Sequence, residues 1–146
     1  MSSTCAGVPE TLNLTVAEQW VRGRISKKRF EHVRGVVAVS EVLATKHGCD
    51  VYRAQMASWL HDCCKEIKDS ALIVMADEMG IETDEHTRAR GHLLHGPVAA
   101  AVVAREFGIT NRELLDAIAE HTMGNAPMCP LSEVVYMADC LEEGRS

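Results

Sequence analysis

Apolar residues recur along this chain of 146 residues at helical spacing, and no segment shows the alternation of a strand. The longest periodic run is Lys27 to His47, where Val33, Val36, Val37, Val39 and Leu43 keep the 3.6-residue period and Gly48 stands just past the end. A shorter amphipathic helix is expected over Thr15 to Arg22. Asp50 is a suitable N-cap for a helix reaching about Asp62, and Asp69 or Ser70 for one ended by Gly80. Ile81 to Leu94 is polar and predicts a loop with a helical turn. Pro97 fits the first turn of a helix running to Phe107 and closed by Gly108. Thr110 is expected to cap Asn111 to His121, Met123 to Pro130 to form a loop, and Ser132 to about Glu142 to form the last helix. The fold class predicted is all-α, a bundle of about six or seven helices. Residues 1–14 are expected to be a flexible N-terminal segment and 15–146 a single domain.

A chain of this length is enough for one domain with a substantial core. The 25% charged and 47% hydrophobic fractions are ordinary for a soluble globule. A net charge of −6 argues against a nucleic-acid partner, because phosphate backbones reward a basic face. Small phosphorylated substrates stay open, since bound metal cations invert the local field. Residues 1–14 have neither a basic n-region nor an apolar core, and no stretch approaches 18 apolar residues, so neither a signal peptide nor a membrane span is predicted. The six cysteines form no CxxC pair, which fits reduced thiols in a cytoplasmic protein.

The histidines change the picture. His32 shares a helical stripe with Val36, Val39 and Leu43, and His121 shares one with Leu114 and Ile118. Asp139 follows Leu131 and Val135, while His61 and Asp62 end the apolar run Ala54 to Leu60. Each alone is weak: an inward His is usually a hydrogen-bonded core residue, and a His-Asp pair arises by chance in roughly one such chain in three. The set is stronger. Three inward His and two inward Asp come from four separate helices, and buried carboxylates are costly unless paired or bound to metal. Imidazole with carboxylate is a ligand set for Zn, Fe, Mn or Co. His47 is expected to make a favourable dipole contact near a helix C-terminus, His86 and His92 to be solvated, with His92 close enough to His95 to shape a pocket, Lys27, Lys28 and Arg29 to form a solvated basic face, and Cys63 and Cys64 to fill the core.

The order His32, His61-Asp62, Asp139 resembles the H…HD…D signature of the HD superfamily. The runs RFEHVRGVV, WLHDCCKE, LLHGPVAA, EHTMG and VVYMADCLEEGR resemble, in order, the YqeK-like family from about Lys28 to Arg145. The resemblance implies an HD helical bundle with a di-iron centre that hydrolyses diadenosine tetraphosphate symmetrically to two ADP by attack of a metal-bound hydroxide. It implies that His32, His61, Asp62 and Asp139 hold one metal and that His95 and His121 hold the second, with Asp62 bridging. Lys65 is then expected to act catalytically beside Asp62 and contact substrate phosphate, and Arg145 to contact substrate. The cofactors implied are two transition-metal ions, iron first, with Mn, Co or Zn as alternatives. The partners implied are a dinucleoside polyphosphate and a second copy in a homodimer. Two departures stand out: Glu143 stands where Pro is usual, and members continue with further helices past this motif, where this sequence stops at Ser146. The competing readings are another HD-domain nucleotide phosphohydrolase or phosphodiesterase, and an inactive metal- or nucleotide-binding module.

Overall fold

The computed structural model describes residues 6–121 and 128–142. Their regular structure is helical: α1 (Leu14–Arg22), α2 (Lys27–His47), α3 (Val51–Leu60), α4 (Asp69–Glu78), α5 (Glu85–Ala89), a 3-10 turn (Gly91–Leu94), α6 (His95–Phe107), α7 (Arg112–Glu120) and α8 (Pro130–Leu141). The all-α class is as expected. The count differs because the polar stretch after Gly80 holds a short helix, α5. Asp84 caps it by accepting from Thr87 N–H while the Thr87 hydroxyl bonds back to Asp84 N–H.

Local chemistry sets most boundaries. The Ser26 and Asp50 side chains accept from Arg29 and Arg53 N–H and start α2 and α3. Gly48 and Gly108, both at φ 72°, end α2 and α6 in the left-handed conformation that glycine adopts without steric cost. Asn111, rather than Thr110, caps α7. The last helix starts at Pro130, two residues earlier than expected, because proline's fixed φ and missing N–H suit a first helical position. Residues 123–127 of the expected loop lie outside the described residues.

The core is organised around α3. Ala54, Met56, Ala57, Trp59 and Leu60 are all buried, so this helix is covered nearly all round. It packs against α1, α2, α7 and α8, while α6 lies on α7 and α4 packs against the 3-10 turn and α6. Residues 6–13, part of the segment expected to be flexible, run along this body. Gly7 O accepts from Thr110 and Asn111 N–H at 2.8 and 3.1 Å, Asn111 Nδ2 donates to Ala6 O, and Leu12 is buried. Among the described residues, no helix is long and apolar enough to cross a membrane.

Candidate metal centre

The ends of α3, the 3-10 turn and α7 converge with the faces of α2 and α8 on one buried polar cluster. α3 ends at Leu60, so His61 is its C-cap and Asp62 lies in the following turn. His95 follows the 3-10 turn and His121 is the C-cap of α7. His32 projects from the interior of α2 and Asp139 from α8. His32, His61, Asp62, His95 and His121 are all buried, and Asp139 is half-buried. The six residues expected as ligands therefore meet in one place. They form two groups with donor atoms within 4.8 Å of one another: His32, His61, Asp62 and Asp139, and Asp62, His95 and His121.

Hydrogen bonding decides which ring nitrogens are free. His61 Nδ1–H donates to Ser58 O at 2.5 Å, His95 Nδ1–H to His92 O at 2.7 Å, and His121 Nδ1–H to Ile118 O at 2.6 Å. Each Nε2 is then an acceptor in the neutral ring. His61 Nε2 is buried without a hydrogen-bond partner. His95 Nε2 and His121 Nε2 face each other at 2.9 Å and lie 3.5 and 3.4 Å from Asp62 Oδ1. Acceptors pointed at acceptors repel unless a cation or a proton sits among them. The donor set and its orphaned nitrogen thus fit metal ions.

The electrostatics agree. Burial disfavours charge on His61, yet the carboxylates of Asp62 and Asp139, each 3.5 Å from Nε2, outweigh it and raise the imidazole to about 9. Asp62 is held well below the usual carboxylate range despite its burial, chiefly by the positive charge of His61. Asp139 is held low against its burial by His32 and His61. Burial lowers His121, which stays neutral and ready to coordinate.

A cavity of about 470 Å³ opens onto this cluster, lined by His32, Asp62, His95, His121 and Asp139 and by the cations Lys28, Arg29 and Lys65. Lys65 is half-buried, and its N–H bonds to Asp62 O at 3.0 Å in the turn that follows α3. Arg145 lies outside the described residues. Arg29 corrects the expectation of a solvated basic face: its side chain is 31% exposed and Nη1 lies 3.5 Å from Asp62 Oδ2. Lys28 also lines the cavity. The signal was present, since Arg29 precedes His32 by one helical turn. His92, expected to be solvated, is exposed but lies at the rim with Nδ1 3.5 Å from Asp69 Oδ2. Glu142, absent from the expected site, reaches His32 Nδ1 at 2.8 Å. Cys63 and Cys64 are buried in the core as expected.

Residues 29–144 match the family model described as HD domain. Over 137 residues the chain is 31% identical to the symmetrical bis(5'-nucleosyl)-tetraphosphatase of Staphylococcus aureus, covering 92% of this chain and 69% of that protein. The protein of the same name from Bacillus subtilis is also 31% identical over 137 residues, with 92% of this chain and 72% of that protein covered. Among solved structures, an HD superfamily hydrolase described as involved in NAD metabolism, from Clostridium acetobutylicum, superposes with a TM-score of 0.87 at 27% identity. The match covers 92% of this chain and 71% of the other.

Proposed function

We propose a specific activity from one premise: this chain belongs to the HD-domain family of metal-dependent phosphohydrolases, and within it to the group typified by the symmetrical bis(5'-nucleosyl)-tetraphosphatases. The activity is hydrolysis of diadenosine tetraphosphate at its central anhydride to give two ADP. The observation that carries it is the pair of adjacent ligand groups sharing Asp62 at the base of a cation-lined cavity. The names of the relatives support the choice of substrate.

His32, His61, Asp62 and Asp139 would hold one ion and Asp62, His95 and His121 the other. Two such ions supply Lewis-acid activation of phosphate and water. The ligand chemistry suits Fe, Mn, Co or Zn, and iron is our assignment on the family resemblance. The protein's own residues supply the rest. Asp62 Oδ1 faces His61, His95 and His121 and Oδ2 faces His32, so the carboxylate would be shared by the two groups and would lower repulsion between neighbouring cations. Lys65 and Arg29 face the cavity, where their charges offset a polyphosphate and stabilise negative charge building on the departing ADP. Proton donation to that leaving group is not required, since a nucleoside diphosphate is a stable anion.

The test is direct. Metal-loaded protein is incubated with diadenosine tetraphosphate and the nucleotides are separated by chromatography. ADP as sole product is expected. AMP with ATP would assign asymmetric cleavage, and turnover of mononucleotides alone would assign a different HD phosphohydrolase.

A further inference from the structure

Four histidine rings face the cluster, and three of them are oriented in the same way. His61, His95 and His121 each follow a helical segment and donate Nδ1–H to the carbonyl three residues earlier. For His61 and His121 those carbonyls are among the ones a helix leaves without an intrahelical partner at its C-terminal end, while His92 O accepts both the backbone N–H and the Nδ1–H of His95; in each case the backbone aims the ring without help from a side chain. His32 cannot use this device. It lies in the interior of α2, where carbonyls are already engaged in the helical ladder. Its ring instead meets the side chain of Glu142, at the C-cap of α8 and 110 residues away in sequence: Nδ1–H donates to Oε1 at 2.8 Å, and the carboxylate is 12% exposed. Nε2 is then turned toward Asp139 Oδ1 at 2.9 Å and Asp62 Oδ2 at 3.8 Å.

The carboxylate also has a built seat. Gly35 lies on α2 three residues after His32, in a helix interior where glycine is weaker than alanine. A Cβ at Gly35 would stand 2.5 Å from Cδ and 2.7 Å from Cγ of Glu142 and would overlap its carboxylate. The missing methyl is what lets Glu142 reach the His32 ring.

We propose that Glu142 is a positioning residue for the His32 ligand, seated by Gly35, and that it governs one of the two metal sites and not the other. Carboxylate partners of ligand histidines fix the ring's tautomer and orientation and raise its basicity. The inference rests on the two-ion reading above. Glu142 has no place in the second group, Asp62, His95 and His121, so its influence is confined to the first.

The experiment titrates chelator-stripped full-length protein with Mn²⁺ by calorimetry and counts bound metal by elemental analysis. The wild type is expected to take two ions. Glu142→Ala is expected to weaken one ion by roughly 10- to 100-fold and leave the other unchanged. Glu142→Gln retains an acceptor for Nδ1–H and is expected to recover most of that loss. Gly35→Ala, which keeps the carboxylate but fills its seat, is expected to reproduce the selective loss and to add nothing in a Glu142→Ala background. Circular dichroism of the metal-free variants checks that each is folded; should Glu142→Ala not fold, Glu142→Gln and Gly35→Ala carry the comparison. Two ions bound with unchanged affinity in the variants would overturn the role of Glu142 while leaving the metal centre intact. Equal weakening of both ions would make Glu142 a general structural contact and would also overturn it. Fewer than two ions in the wild type would bring down the two-ion reading itself and this inference with it.

Discussion

Loading metal near neutral pH must displace a proton from His61. Burial works against charge on this ring, but Asp62 and Asp139 prevail and raise it to about 9 in the metal-free protein. Nδ1 is committed to Ser58 O, so Nε2 is the nitrogen an ion must use, and an imidazolium has no lone pair to give. At pH 7 the group lies about two units below its midpoint, so roughly 1% is in the coordinating form. Recovering that form costs about 2.7 kcal/mol, or about 100-fold in apparent affinity. The apparent association constant for the ion held by His61 is therefore expected to climb about tenfold per unit between pH 6.5 and 8.5 and to flatten above about 9. Mn²⁺ titrations in buffers of different ionisation enthalpy count the protons released, and about one is expected from His61 at pH 7. The same shift acts on stability. The folded value lies above the ordinary 6.5, so the metal-free protein gains stability that is fully present below pH 6.5 and fades as pH rises through about 9. Its Tm should fall over that window. An apparent affinity flat from pH 6.5 to 8.5, with no proton released, would refute the reasoning.

Asp62→Ala is expected to abolish binding of both ions, whereas His121→Ala weakens one, because Asp62 belongs to both ligand groups and His121 to one; elemental analysis after equal loading decides it. Lys65→Ala should keep both ions and lower kcat on the order of 100-fold with little change in KM, as expected for a cation acting on charge that develops in the transition state; unchanged steady-state constants would return Lys65 to the surface. Leu60→Ala removes a fully buried side chain beside His61 and should cost about 2–5 kcal/mol in urea denaturation of the metal-free protein. Gly91→Ala places a Cβ 2.5 Å from Asp69 O, where backbone must move, so about 1–3 kcal/mol of stability is expected to be lost in the same assay.

The helical class and most of the site were legible because period and capping are local. Asp50, Gly48 and Gly108 announce boundaries that the structure keeps. Asp139 and His32 could be placed inward from their stripes alone, and the structure brings them within 2.9 Å. What the pattern could not carry was side-chain reach across the bundle. Arg29 looked like part of a Lys-Lys-Arg surface run; its place one helical turn before His32 was a hint, and the packing of α2 on the turn after α3 is what brings it to Asp62. Glu142 was hidden for a different reason. Its value depends on Gly35, which offers no feature to a periodicity argument except a weak place in a helix. A helical turn was expected within Ile81 to Leu94, but its placement at Gly91–Leu94, where it delivers His95, was not readable, since that turn is held against α4 by tertiary contact rather than by a side-chain cap.

The charge balance of the centre explains why so many helix ends meet there. Two divalent ions bring four positive charges, and the ligand set includes just two carboxylates, Asp62 and Asp139. Part of the remaining field comes from the backbone. His61 and His121 cap the C-termini of α3 and α7, so two carbonyl-bearing helix ends approach the centre through the rings they orient, whereas His95 opens α6. Helix C-termini carry partial negative charge and favour cations nearby. The same carbonyls fix each ring by its Nδ1–H, so one local feature both aims the ligand and lowers the electrostatic cost of the ion it holds. With two divalent ions held as proposed above, the centre would stay net positive toward the cavity. That is the condition a polyanionic substrate needs, with Lys65 and Arg29 at the cavity wall extending the positive surface outward. A set of six carboxylates would bind the ions more tightly and repel the polyphosphate. The imidazole-rich set built on helix ends avoids that conflict.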